Sequence, residues 1–267
     1  MMKVAKALEK YFTKRVTTLD LLLERPKYKY TLESYHKLRV EIKKLNALFK
    51  LVDYSVAGFK RKKYFKPLKN IFAQAGKVRE LQLEDAMLKK LALHYSLKNY
   101  RYDLKKHCLK EQEKFFHLSN EEVVSELQKD HTKIASFFYK IQEKDLKDYL
   151  EKRRKKVDAL LKQKKINEQQ IHELRMRLQE FYYNRKSVNF PGQGNLLIKA
   201  KALQKLLGKW HDRKIMNVHF KKVMSSGKTN PMELKKLEMI QKKISIESER
   251  LFKKINSAIH AATFLFD

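Results

Sequence analysis

Tyr35-His36-Lys37-Leu38-Arg39-Val40-Glu41-Ile42-Lys43-Lys44-Leu45 is the stretch on which the reading of this chain turns. Helical side chains advance by about 100° per residue, so His36, Arg39 and Lys43 fall within about 60° of one another. Leu38, Ile42, Leu45 and Phe49 form an apolar stripe at helical spacing. One face of such a helix packs and the other presents cations. A version of the stretch returns as Ile171-His172-Glu173-Leu174-Arg175-Met176-Arg177-Leu178, with His172 standing 136 residues after His36. A second element follows each copy. Residues 68–80 align with residues 200–212, so that Lys69 meets Lys201, Gly76 meets Gly208, Lys77 meets Lys209, Arg79 meets His211 and Glu80 meets Asp212, at an offset of 132. Two motifs recurring in one order imply an internal duplication, with halves of about 1–130 and 131–267 inside a single domain of 267 residues.

Composition sets the class. With 43% hydrophobic residues at helical spacing the chain buries a core despite 34% charge. Six glycines and four prolines leave little provision for the tight turns of a β protein, so the expected fold is all-α. The formal charge of +32 exceeds what solubility requires and would repel itself unless a polyanion neutralised it. Its cations are 49 lysines and 13 arginines. Lysine binds phosphate as a point charge and lacks the planar fork used to read bases, which favours phosphate density over base sequence. The single cysteine, Cys108, excludes an internal disulfide and fits a reducing compartment, hence a cytoplasmic location. No signal-peptide core and no run of about 18 apolar residues occurs, so no membrane partner is expected.

Along the chain, a first helix over 4–23 stops at Pro26, and Thr31 caps a second that carries His36 to about Val52. A third helix is expected over 62–76, starting late because of Pro67, and one long or two consecutive helices over 79–117. Ser119-Asn120-Glu121-Glu122 reads as a capping box opening a short helix. A helix over 131–164 with a basic face (Lys152, Arg153, Arg154, Lys155, Lys156) is the counterpart of the first. Asn167 to Gln170 cap the second motif helix, and Ser187 to Gly194 form a turn-like link to the Lys201 helix, which breaks at Gly208. Asn230-Pro231-Met232-Glu233 then opens a final helix with a cap, a first-position proline and a third-position glutamate.

The two copies of His-x-Leu-Arg, each followed by a helix with Gly-x-x-(Arg or His)-acid, resemble the CHAD family, the conserved histidine α-helical domain, over nearly the whole chain. The resemblance implies two pseudo-twofold-related four-helix bundles with a basic central surface that binds inorganic polyphosphate, no enzymatic activity, no cofactor, and association with polyphosphate granules. The family usually carries further Lys or Arg seven and ten residues after the motif histidine. Here those positions hold Lys43 and Asn46 in the first copy, Gln179 and Tyr182 in the second.

The candidate phosphate-binding residues are His36, Arg39, Lys43, Lys44, Lys69, Arg79, His172, Arg175, Lys201 and His211. A neutral imidazole donates a hydrogen bond to a phosphate oxygen, and an imidazolium adds charge. Arg79-Glu80 and His211-Asp212 either extend the basic surface or form local ion pairs that orient the basic member. The remaining histidines show no metal-ligand spacing, and a phosphate loop, a nucleophile elbow and His-Glu-x-x-His are all missing. Glu247-Ser248-Glu249-Arg250-Leu251 lacks the lysine of a triphosphatase Glu-x-Glu-x-Lys and falls in an expected helix. The alternative partner is nucleic acid, since Tyr28-Lys29-Tyr30, Tyr64-Phe65 and Phe181-Tyr182-Tyr183 set aromatic rings beside basic residues. Most of these rings occupy apolar positions of amphipathic helices, which makes them core.

Overall fold

Buried Ala5, Leu8, Phe12, Val16, Leu19 and Leu22 recur every three to four residues and give the first helix, α1 (Met2–Leu23), its inward face. In the computed structural model, which describes residues 2–91, 97–119, 125, 128–163, 165–188, 194–227 and 229–262, every regular element is helical. A 3-10 turn over Lys27–Lys29 leads to α2 (Leu32–Ser55). Thr31 caps α2 through a reciprocal pair in which Ser34 N–H donates to Thr31 Oγ1 and Thr31 N–H donates to Ser34 Oγ. Then come α3 (Arg61–Leu91), α4 (Lys98–Leu118), α5 (His131–Phe138), α6 (Glu143–Leu161), α7 (Glu168–Val188), α8 (Gly194–Ser225) and α9 (Pro231–Ala262).

Three boundaries differ from the sequence reading. The break expected at Gly76 does not occur: α3 runs for 31 residues through Pro67 and Gly76, because Leu68, Ile71, Ala75, Val78 and Leu81 keep one continuous stripe buried. The same holds for α8, a 32-residue helix through Gly208, carried by Ala200, Leu203, Leu207 and Trp210. Conversely, the helix expected over 131–164 is divided between α5 and α6 by a turn at Tyr139 and Lys140. The capping box beyond Ser119 and the turn-like 189–193 lie outside the described residues. At Asn167 the cap forms as expected, with Gln170 N–H donating to Asn167 Oδ1 at 2.9 Å and Asn167 N–H to Gln170 Oε1 at 2.8 Å.

Helix adjacency repeats between the halves. In the first, α1 packs on α2, α2 on α3 and α3 on α4; in the second, α6 packs on α7, α7 on α8 and α8 on α9. The motif helices α2 and α7 pack on each other, and the first helices exchange across that seam, α1 touching α7 and α6 touching α2. One detail repeats at the level of side chains, at an offset of 138 residues for the Tyr and Arg and 139 for the carboxylate they meet. Arg15 stacks over Tyr11 and ion-pairs Glu41 at 2.9 Å, and Arg153 stacks over Tyr149 and ion-pairs Glu180 at 3.1 Å. Both carboxylates belong to motif helices.

Apolar burial falls into three clusters. One joins α1, α2, the first half of α3, α5 and the start of α6; a second joins the end of α6, α7, the first half of α8 and the end of α9. The third mixes the halves, packing Leu81 and Leu88 of α3 and Tyr100 and Leu104 of α4 against Met216 and Phe220 of α8 and Leu237, Ile240 and Ile244 of α9. The long helices α3 and α8, each about 45 Å by rise alone, therefore serve their own bundle first and the shared bundle second. The handover falls near Val78 to Leu81 on α3 and Trp210 to Met216 on α8.

The two halves are also joined by a cap. Glu233, third in α9, does not close its own helix start. Its carboxylate accepts from the backbone N–H groups of Asn99 (3.0 Å) and Tyr100 (2.9 Å), the exposed donors of an α4 N-terminus whose own N-cap, Leu97, offers no side-chain acceptor. Asn230 caps α9 instead, accepting from Met232 N–H at 2.9 Å.

Candidate functional site

Arg79, His211 and Asp212 sit on α3 and α8 where those helices pass from their own cores to the shared one. The polar faces of α2 and α7 point at the same place, so residues from four helices and both halves converge there.

Arg39 is the best-defined member. Its Nη1 donates to the carbonyl of Phe72 at 2.5 Å, and its guanidinium lies over the Phe72 ring, 4.1 Å from the centroid. Gly76, one turn on from Phe72, makes this seat: a Cβ there would stand 2.1 Å from Arg39 Nη1 and 2.9 Å from its Cζ. The repeated glycine of α3 is thus a slot for a guanidinium. Gly208 has nothing within 4 Å of its missing Cβ, and Arg175, the partner of Arg39 by sequence repeat, instead rests against Met176 Sδ at 3.9 Å. The repeat is preserved in sequence and relaxed in geometry.

The cations of the cluster act on one another. Burial, followed by the charges of Arg175, Arg39 and Arg79, pulls the Lys43 ammonium down to about 7, with Asp212 opposing. Arg39 is lowered to about 10 by burial, with Glu80 raising it and Arg79 and Arg175 lowering it. Arg175 is lowered as well, by burial first, while Asp212 raises it. His211 falls to about 3, from burial and then Arg175, His172, Lys43 and Arg79, so its ring is neutral at physiological pH. His36 is lowered by partial desolvation, then by Arg79. The rings of His172 and His211 meet with centroids 5.4 Å apart.

Two carboxylates answer this charge. Asp212 lies 3.6 Å from Arg79 Nη2, and Glu80, held above its usual range by desolvation, interacts with Arg39 and Arg79. Arg79 Nε is buried without a protein acceptor. The result is a pocket of positive charge fixed by the fold and only partly neutralised within it.

Of the ten residues expected from sequence, the structure brings together His36, Arg39, Lys43, Arg79, His172, Arg175 and His211. Lys44 points elsewhere. It ion-pairs Glu41 at 2.6 Å beside Arg15, in a network that ties α1 to α2. Lys69 and Lys201 are exposed on α3 and α8, seven residues before Gly76 and Gly208, and so stand about 10 Å further along the same helical faces. Asn46, at a position where a cation is usual, accepts from Arg61 Nη1 at 3.1 Å, which brings a guanidinium to that turn by another route. Gln179 donates to Tyr183 Oη at 3.3 Å. Sequence reading did not single out Phe72 as the platform under Arg39; the repeated Gly76 one turn later was its only trace.

The aromatic segments considered for base stacking are largely core: Tyr30, Tyr64, Phe181 and Tyr183 are buried, and Tyr28 is exposed. Among the described residues no group of three or more His, Cys, Asp or Glu is placed to hold a metal ion, and no helix is long and apolar enough to cross a membrane.

Residues 18–220 match the family model of the CHAD domain. The crystal structure of the CHAD domain from the plant Ricinus communis aligns with a TM-score of 0.72 at 10% identity, covering 97% of this chain and 92% of that one. PptA from Streptomyces chartreusis aligns with a TM-score of 0.64 at 12% identity, covering 94% of this chain and 98% of that one. At such identities the likeness to these two structures is one of fold. No curated protein matches the chain.

Proposed function

This chain belongs to the CHAD family, and on that premise we propose that it binds inorganic polyphosphate at the cluster where its cores meet, without catalysing a reaction on it. The observation that carries the reading is the convergence of Arg39, Lys43, Arg79 and Arg175 from three helices on one place, where burial and then neighbouring positive charge lower the protonation of Arg39, Lys43 and Arg175. A fold that holds like charges together without a full set of counter-charges is arranged for an anion that arrives from outside. A chain of phosphoryl groups supplies closely spaced negative charge and offers acceptors to Arg39, Arg79 and Arg175, while the neutral rings of His36 and His211 donate one N–H each. Lys69 and Lys201 extend the positive face on either side for a ligand longer than the cluster. The burial of most candidate stacking rings favours phosphate over bases as the recognised group. The setting consistent with this chemistry is the cytoplasm, on or near polyphosphate granules.

Calorimetric titration with long-chain polyphosphate and with single-stranded RNA, each across a salt series, tests the proposal. Polyphosphate binding that outlasts RNA binding as salt rises is the expected result, because fixed geometry adds to counterion release. Binding of RNA as tight as that of polyphosphate at every salt would make the protein a general polyanion or nucleic-acid binder. Arg39→Ala combined with Arg175→Ala is expected to remove most polyphosphate affinity with helicity retained; unchanged affinity would take the cluster out of consideration.

A further inference from the structure

A second basic cavity, of about 480 Å³, opens between the end of α2 and the outer faces of α6 and α7. Its walls include Tyr54, Lys152, Arg153, Lys155, Lys156 and Arg177. On α7, Arg177 is about 160° round the helix from Arg175, so this cavity is separate from the central cluster. Part of its charge is answered locally: Lys152 pairs Asp148 at 3.0 Å, Arg153 pairs Glu180, and Arg177 pairs Glu173. Lys155 and Lys156 are exposed and have no carboxylate at ion-pair distance among the described residues.

The pseudo-symmetry shows that the fold does not need two of these cations, Lys155 and Lys156. With Tyr11 and Arg15 equivalent to Tyr149 and Arg153, the positions of Lys152, Lys155 and Lys156 correspond to Lys14, Thr17 and Thr18 on α1. The other end keeps one lysine, Lys14, but is built with Thr17 and Thr18 where this end has Lys155 and Lys156, so the charge of those two lysines has another purpose. Helix α2 links it to the centre. Lys43, Lys50 and Tyr54 lie within about 40° on one stripe of α2, so a ligand leaving Lys43 along the helix reaches Tyr54 after about 16 Å. Midway, Lys50 and Arg153 share the carboxylate of Glu180, leaving net positive charge.

We propose that this cavity is a second anchoring site for consecutive phosphoryl groups, occupied by the part of a long phosphate chain that extends beyond the central cluster. The proposal rests on the polyphosphate reading and gives the bound chain a preferred side, since the pseudo-symmetric end has Thr17 and Thr18 where this end has Lys155 and Lys156. The test compares long-chain polyphosphate with tripolyphosphate, which is too short to bridge both places. Lys152→Gln, Lys155→Gln and Lys156→Gln together are expected to lower long-chain affinity by roughly tenfold and to reduce its salt slope by about 2, at about 0.7 per lost contact, with tripolyphosphate affinity unchanged. A control triple with the same charge change on exposed α4 residues, Lys105→Gln, Lys106→Gln and Lys110→Gln, is expected to change long-chain affinity by less than about twofold. Equal losses from the two triples, an equal loss for both ligands, or no loss from the first triple would each overturn the second site. The central reading fails separately, if Arg39→Ala with Arg175→Ala leaves binding of both ligands intact.

Discussion

Replacing Gly76 by alanine isolates the role of the guanidinium slot, and Gly208→Ala supplies its matched control. Both glycines lie inside long helices, so each substitution gains about 1 kcal/mol of helix propensity. At Gly208 nothing opposes the gain, because no atom lies within 4 Å of the new Cβ; the expected rise in Tm is about 2–4 °C. At Gly76 the Cβ would meet Arg39 Nη1 at 2.1 Å, and an approach that close moves the guanidinium by more than an ångström. Arg39 then loses its 2.5 Å bond to the Phe72 carbonyl and its place over the ring. A charged hydrogen bond contributes about 1.5–3 kcal/mol and the ring contact about 0.5–1 kcal/mol, both reduced here because the displaced head regains water. Gly76→Ala is therefore expected to be less stable than Gly208→Ala by about 1–3 kcal/mol, with the propensity gain cancelling in the comparison. In calorimetric titration Gly76→Ala should lose polyphosphate affinity about as Arg39→Ala does, and its salt slope should fall by about 1; Gly208→Ala should bind as the wild type. If Gly76→Ala gains the full propensity increment and binds normally while Arg39→Ala does not, the slot does not position Arg39 for the ligand.

Further outcomes follow from the same geometry. The Lys43 ammonium, at about 7 against an ordinary 10.5, carries a protonation penalty in the folded state that is complete below pH 7 and relieved as pH rises towards 10.5; Lys43→Met is accordingly expected to stabilise the protein most at pH 7 and below. A bound polyanion restores the charged form, so titration near pH 8 in buffers of different ionisation enthalpy should show proton uptake that Lys43→Met abolishes; no uptake in the wild type would contradict the placement of Lys43 at the ligand. Asp212→Asn removes the counter-charge 3.6 Å from Arg79 and is expected to raise polyphosphate affinity by roughly 2–5-fold, whereas a loss of affinity would mean that Asp212 orients Arg79 and does not compete with ligand. Glu233→Ala uncaps α4 from across the molecule and should cost about 1–2 kcal/mol in thermal denaturation, with Glu233→Gln retaining part of the stability; an unchanged Tm would show that water replaces the cap without loss.

The all-α class, most helices and the two motif faces were legible in the sequence because they depend on local periodicity, which a helix imposes over a few residues. His36, Arg39, Lys43, His172 and Arg175 were recognisable for the same reason, helped by the repeat. Glycine misled the boundaries. In sequence Gly76 and Gly208 read as helix ends, yet both helices continue, since burial of a continuous apolar stripe outweighs about 1 kcal/mol of propensity. The use of Gly76 lies in the close approach of a side chain 37 residues earlier, and no local rule reports such an approach.

Side-chain fate within one helical face also lay beyond the sequence. Lys43 and Lys44 are neighbours with the same chemistry, but a rotation of about 100° sends one to the cluster and the other to Glu41. Glu233 had the position of a cap for its own helix and serves α4 instead, a choice made by which amide donors reach it in space. The mixed core that joins the halves, and the handover points that place Arg79 and His211, arise from contacts between segments more than a hundred residues apart. Local periodicity thus determined which residues form helices and which faces carry charge. Tertiary structure decided which of those charges meet, because their separation and burial, and hence their mutual electrostatics, exist only after the helices have packed.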